Sequence, residues 1–274
     1  MQLPDTLRTL CIGAHPDDCE VRVGGTAARW RDRGHSVTFL SVTDGRSGHH
    51  EMAGHRLVAR RREEARRAAA VIGADSRVLP LPDGHLMPTL ENRLMLIRVI
   101  REISPHLIVT NRPDDYHPDH RYTSQLVRDS AYSLMVPGVA PDTPAMRFNP
   151  VILYWWDRFR RPAPFAPSIV VSIDDYYARK IEMLHQHESQ VYEWLPWVAG
   201  TLETVPAGSG ERLEWLRRTL ASRQQPPLSQ MYRDRLVDRY GDVTGARVEQ
   251  AEAYELCEYG TQIDASEIDR VFAE

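Results

Sequence analysis

The sequence predicts an α/β protein: a Rossmann-like, mostly parallel sheet with helices on both faces. Three observations carry that prediction. Short apolar runs alternate with longer stretches of helical periodicity through the first half of the chain, as βα units do. Helix-ending residues stand where each helical stretch stops, at Gly34, Gly73 and Pro105. Two clusters of His and Asp follow apolar runs directly, at the carboxyl ends of expected strands, where open α/β sheets place their ligands.

The elements follow in order. Leu7–Gly13 is the first expected strand and Val23–Arg33 the first helix. Val37–Val42, rich in β-branched and aromatic residues, is the second strand. After a loop over residues 43–54 comes a long helix, Arg56–Ile72. Val78–Leu81 is a short third strand, Asn92–Ile103 a helix, Leu107–Thr110 the fourth strand and Ser124–Ser133 a helix. The second half is less regular. Val151–Trp156 and Ile169–Ile173 have strand character, and Asp174–His187 helical character with Asp174 as a candidate N-cap. Residues 200–230 mix Gly, Pro, Ser and Gln around one helical piece, Glu211–Leu220, and Val248–Tyr259 is expected to be a final helix. One domain over residues 1–274 is expected. Within it, about 138–274 supplies the late strands, an irregular cap and the C-terminal helix, with a candidate hinge at Pro137–Pro150.

Composition narrows the classes. With 42% hydrophobic and 26% charged residues, the 274-residue chain has the make-up of a globular protein with a sizeable core. A net charge of −4 gives no electrostatic reason to expect nucleic acid or an anionic membrane as partner. No apolar run approaches the roughly 20 residues of a membrane span. Met1–Thr9 carries Asp5 and no long apolar stretch, so no signal peptide is expected. Cys11, Cys19 and Cys257 are odd in number and scattered, which suits a reducing compartment and a cytoplasmic location.

The chemistry sits in the two clusters. The first is Gly13-Ala14-His15-Pro16-Asp17-Asp18-Cys19-Glu20; the second is Asp114-Asp115-Tyr116-His117-Pro118-Asp119-His120. Adjacent carboxylates repel unless a cation or a proton relieves them. Two such clusters at neighbouring strand ends can converge on one divalent ion. A catalytic zinc takes three protein ligands from His and carboxylate and keeps one position open. The dinucleotide spacing G-x-G-x-x-G is absent, so NAD is not supported.

Together the clusters resemble the LmbE-like family, also called the PIG-L de-N-acetylases. The first signature, A-H-P-D-D-x-E, corresponds to Ala14–Glu20 and is followed by Gly24-Gly25-Thr26; the second, H-P-D-H, corresponds to His117–His120. Thr43-Asp44-Gly45, Arg61–Ala65 and His187-Glu188-Ser189-Gln190 extend the likeness over roughly residues 8–190. The resemblance implies zinc held by His15, Asp18 and His120, and Asp17 as a general base that is not itself a ligand. It also implies a small amino-sugar substrate and a homo-oligomer, a trimer or hexamer.

The remaining roles follow from the chemistry of amide hydrolysis. The tetrahedral oxyanion needs a preorganised cation or donor, which a protonated His117 would supply, with Asp119 placed to hold its ring and favour the charged form, the two on a loop or irregular turn. Asp17 could instead be an N-cap or a turn former after Pro16, and Asp119 a cap of the helix near His120. Glu20 is expected to support a ligand from behind. Weaker candidates for substrate contact are Asp44 and Arg46, in the loop after the second strand; the resemblance adds His187, which by itself reads as a helix end. His49 and His50 suit exposed loop polarity. Arg60–Glu64 and Glu63–Arg67 have the spacing of ordinary pairs on a solvated helix face. One Trp of Tyr154-Trp155-Trp156 could reach the cleft, Tyr192, Trp194 and Trp197 could line it or an oligomer contact, and Arg22 could narrow the entrance. The expected activity is zinc-dependent removal of an N-acetyl group from an N-acetylglucosamine-type sugar or conjugate. The alternatives are a zinc amidase for another small conjugate and a non-catalytic metal- or nucleotide-binding module.

Overall fold

The computed structural model of the chain describes residues 3–223 and 225–273. Seven strands form one sheet in the order β3-β2-β1-β4-β5-β7-β6: β1 Arg8–Gly13, β2 Ser36–Thr43, β3 Asp75–Leu81, β4 Leu107–Thr110, β5 Val151–Trp155, β6 Ile169–Ser172 and β7 Ala251–Leu256. The first five are parallel; β7 runs antiparallel to both β5 and β6. The helices are α1 Asp18–Asp32, α2 Gly54–Val71, α3 Leu90–Ile103, α4 Pro118–Ser130, α5 Tyr177–His185, α6 Leu195–Ala199, α7 Ser209–Arg223, α8 Leu228–Met231, α9 Arg233–Arg247 and α10 Ala265–Val271.

Alternation along the strands divides the core in two. Cys11, Val37, Phe39, Val109 and Leu153 face one side, against Val23, Ala27 and Trp30 of α1 and Phe272 after α10. Leu10, Ile12, Leu40, Ile108 and Ile152 face the other, against Leu96, Ile97 and Ile100 of α3 and Leu126 of α4. Both sides are therefore covered, as a parallel sheet requires. The chain winds from β1 outward through β2 and β3, then returns to place β4 on the other side of β1. The strand order reverses there, so the crevice beyond β1 and β4 is the expected ligand position for such a sheet.

Three expectations are corrected. Val248–Tyr259 is not a helix: its centre is β7, which fills the slot between β5 and β6. Ala, Glu and Leu favour helix locally, but pairing with two strands overrides propensity. Asp174 does not cap its own helix. Its carboxylate accepts N–H bonds from Glu249 and Gln250, tying α5 to the start of β7. The second cluster is not irregular to its end, because α4 begins at Pro118, with His117 as N-cap and His120 inside the first turn.

Candidate active site

The site is built where β1 and β4 end. Asp18, the first residue of α1, turns its carboxylate back so that Oδ2 accepts the N–H groups of Ala14 and His15 at 2.8 and 2.9 Å. Gly13 is required for this turn: a Cβ there would lie 2.6 Å from the Asp18 Cβ. The same Oδ2 is 3.7 Å from His15 Nδ1 and 3.5 Å from His120 Nε2, and those two nitrogens are 3.2 Å apart. Donors held about 2.0–2.1 Å from a tetrahedral zinc stand about 3.4 Å from one another. The three atoms thus already form the face of such a site.

Each imidazole is backed by carboxylate. His15 Nε2 lies 3.2 Å from Asp83 Oδ1 and 3.4 Å from Asp119 Oδ2, leaving Nδ1 to face Asp18 and His120. His120 Nδ1 lies 3.0 Å from Asp115 Oδ1, leaving Nε2 to face inward. This arrangement fixes ring orientation and raises ligand basicity. Burial disfavours the His15 cation, but contact with Asp119 and Asp83 and the Asp18 charge outweigh it and raise the pKa to about 10. Asp83 is held down to about 2: burial opposes ionisation, and the His15 contact overcomes it. The pocket's negative charge calls for a cation. His117 joins His15 and His120 in an alternative donor group, and His15, Asp83 and Asp119 form another.

Asp17 stands beside this centre in a backbone conformation rare for anything but glycine, with φ at 152°. Such strain costs on the order of 1–3 kcal/mol and persists only where surrounding contacts impose it. Here Arg61 imposes it: its Nη2 donates to Pro16 O at 2.9 Å and to Asp17 Oδ1 at 3.1 Å. Burial raises the pKa of Asp17; Arg61 opposes that shift and Asp18 adds to it. Behind lies His187, fully buried, with Nε2 3.2 Å from Glu20 Oε1. His187 is raised in pKa, burial opposing and Glu20 favouring its cation.

The structure places several residues otherwise than expected. Asp119 does not hold the His117 ring. Its carboxylate contacts His15 and accepts the Gly84 N–H at 2.7 Å, whereas its own N–H donates to His117 Nδ1 at 3.1 Å. With Nδ1 an acceptor, His117 presents Nε2–H as a neutral donor; burial and the neighbouring His15 and His120 keep its pKa low. His187 is too buried to touch a substrate directly. Asp44 is likewise buried and is gripped by the Arg46 guanidinium, which reaches the surface. The α2 arginines are not all on a solvated face. Arg60 does pair with Glu64, but Arg61 and Glu64 are buried, Glu64 accepts from Ser189 N and Oγ, and Glu63 pairs with Arg66. His49 is no exposed loop residue: it contacts Glu193 at 2.8 Å and stacks on His50, which stacks on Trp197.

Arg61, Asp83 and Asp115 went unassigned on the sequence. Asp83 sits just past β3, at the same sheet edge as the two clusters, which was a usable signal. The cleft above the centre comprises two cavities that share Val21, Arg22 and Trp156. The outer one, about 800 Å³, is lined by Tyr116, Asp157 and Phe159 among others; the inner one, about 350 Å³, reaches Asp17.

A family model described as PIG-L, GlcNAc-PI de-N-acetylase, matches residues 10–131. A diacetylchitobiose deacetylase of Thermococcus kodakarensis is 31% identical over 208 residues, covering 70% of this chain and 74% of that protein. The solved structure of the N,N'-diacetylchitobiose deacetylase from Pyrococcus horikoshii superposes with a TM-score of 0.71 at 23% identity, covering 93% of this chain and 85% of that one. A 4-carboxy-2-hydroxymuconate hydratase from Pseudomonas putida KT2440 shares the fold at a TM-score of 0.67 and 18% identity, covering 94% of this chain and 99% of that one. Among the described residues, no helix is long and apolar enough to cross a membrane.

Proposed function

The chain belongs to the PIG-L, or LmbE-like, family of de-N-acetylases, and on that premise we propose a zinc-dependent hydrolase that removes the acetyl group from an N-acetylglucosamine-type sugar or conjugate. Because the same fold also carries a hydratase, the chemistry is argued from the side chains. The observation that carries the reading is the triangle of His15 Nδ1, Asp18 Oδ2 and His120 Nε2 with Asp17 beside it. Two imidazoles and one carboxylate are a donor set that suits zinc. When bound, zinc supplies a Lewis acid that polarises an amide carbonyl and makes water a competent nucleophile near neutral pH.

The chain's own residues do the rest. Asp17 takes the proton of the attacking water and passes one to the leaving amine. Arg61 fixes the carboxylate from the side away from the reaction, so that its remaining oxygen can face the water. His117 Nε2–H donates to the oxyanion as it forms. Asp83 and Asp119 hold His15, and Asp115 holds His120, so that no ligand ring has to reorient during the reaction. Sugar hydroxyls and ring faces suit the outer cavity, which offers Tyr116, Trp156 and Asp157. The three cysteines are free and buried, which supports a reducing, cytoplasmic setting.

The test is acetate release from N-acetylglucosamine, its disaccharide and its conjugates by zinc-loaded protein. Release that stops on chelation and returns with zinc is expected. Hydration of an unsaturated acid with no amide cleavage would overturn the reading.

A further inference from the structure

The inner cavity is larger than an acetyl group requires. It extends from Asp17 between α1 and α5 on one side and α7 and α8 on the other, and holds about 350 Å³. Its apolar wall includes Val21, Leu184, Val191, Leu195, Leu220 and Leu228. The charged pair on that wall, Lys180 and Glu252, is joined at 2.7 Å, and Glu252 is further satisfied by the N–H groups of Gly25 and Thr26. Neither group is left asking for a polar ligand.

A sugar is poorly suited to this chamber, since each buried hydroxyl without a partner costs free energy. The outer cavity offers such partners in Tyr116, Asp157, Arg158 and Arg160, whereas the chamber has Asp17 and Arg22 where it meets the outer cavity and Glu249 and Gln250 beside β7, with an otherwise mainly apolar wall. Between them stands Arg22, whose Nη1 donates to the Trp156 carbonyl at 3.1 Å. The two moieties of an N-acyl sugar therefore sort by chemistry: polar ring outside, hydrocarbon inside, with the amide between them next to Asp17.

We propose that the inner chamber is an acyl subsite, and that the enzyme hydrolyses amides of medium-chain fatty acids on an amino sugar in preference to acetamides. The inference rests on the amidase reading above and names its acyl specificity. Water adds hydroxyl to the acyl carbon, the C–N bond breaks, and a proton passes to nitrogen, giving a free fatty acid and a free amine. Ala221 is exposed and lines the chamber near the end of α7, so a larger side chain there narrows the chamber without disturbing the core.

The experiment measures kcat/KM of the zinc-loaded protein for N-acetyl-, N-butanoyl-, N-hexanoyl- and N-octanoylglucosamine. Burial of each methylene is worth about 0.8 kcal/mol at most, close to fourfold in rate, so a rise of about tenfold or more from acetyl to hexanoyl is expected. In Ala221→Trp the octanoyl-to-acetyl ratio should fall at least tenfold, and octanoate should inhibit the wild-type protein at least tenfold more strongly than acetate. A rate that falls steadily from acetyl onward overturns the acyl subsite while leaving the amidase reading intact. A ratio unchanged in the variant does the same. Cleavage of none of the four amides overturns both.

Discussion

Two buried carboxylate sites adjoin the same helix, α1, and they are neutralised in opposite ways. Glu252 reaches α1 from β7 and accepts from Gly25 N, Thr26 N, Thr26 Oγ and the Tyr254 hydroxyl, with Lys180 Nζ at 2.7 Å. Burial works against its ionisation, but Lys180 and the Thr26 bonds hold it below the usual carboxylate range. At the other site, Asp17, Asp18, Asp83, Asp115 and Asp119 gather around His15 and His120, and Arg61 is turned to Asp17. The first cluster carries its cation in its own chain. The second, on the reading proposed above, is completed by a zinc ion that the chain does not itself supply. A polar cluster that only supports the fold is complete in itself, whereas one that performs chemistry is arranged around something it does not covalently own.

That contrast can be broken most forcefully at Asp18. Asp18→Ala should abolish both zinc retention and activity, read as zinc per chain after desalting and as product release. Asp17→Asn should keep its zinc and lose about 10²–10⁴-fold in kcat, the usual share of a general base; zinc loss in that variant would make Asp17 a ligand. Asp115→Asn should weaken zinc about 10–100-fold by freeing the His120 ring, measured by competition with a chelator. In the self-sufficient cluster, Thr26→Val should lower unfolding free energy by about 1.5–3 kcal/mol in a denaturant melt, with kcat/KM and zinc content as in the parent.

The pH dependence sharpens the comparison further. Asp17 acts as a carboxylate, and burial together with Asp18 lifts its pKa above the ordinary 3.8. Activity should therefore fall tenfold per unit as the pH drops below that raised value. Arg61 opposes the shift, so Arg61→Met should move the acidic limb to higher pH. A limb that stays in place would mean that another group titrates there.

How much of this was legible in the sequence depended on range. The two clusters are contiguous and each follows an apolar strand, which put both at strand ends, and the family resemblance singled out His15, Asp18 and His120 within them. Their convergence required only that β1 and β4 be neighbours. Arg61 was harder: it sits among arginines that do make ordinary surface pairs, and only the rotation of α2 against the loop after β2 turns it inward to Pro16 and Asp17. β7 was illegible for a related reason. Ala251–Leu256 looks helical by composition, and its strand state comes from partners far away in sequence, β5 and β6. Asp119 shows the remaining limit. Its backbone N–H binds nearby His117, but its carboxylate contacts His15, from the other cluster.

The most direct test of the central claim is the coordination of zinc in the purified protein, read by X-ray absorption at the zinc edge together with metal content. One zinc per chain, bound by two imidazoles and one carboxylate oxygen, and lost in Asp18→Ala, is the result the account predicts. A zinc held by three imidazoles, with His117 in place of Asp18, or a protein that retains no zinc after desalting, would contradict it.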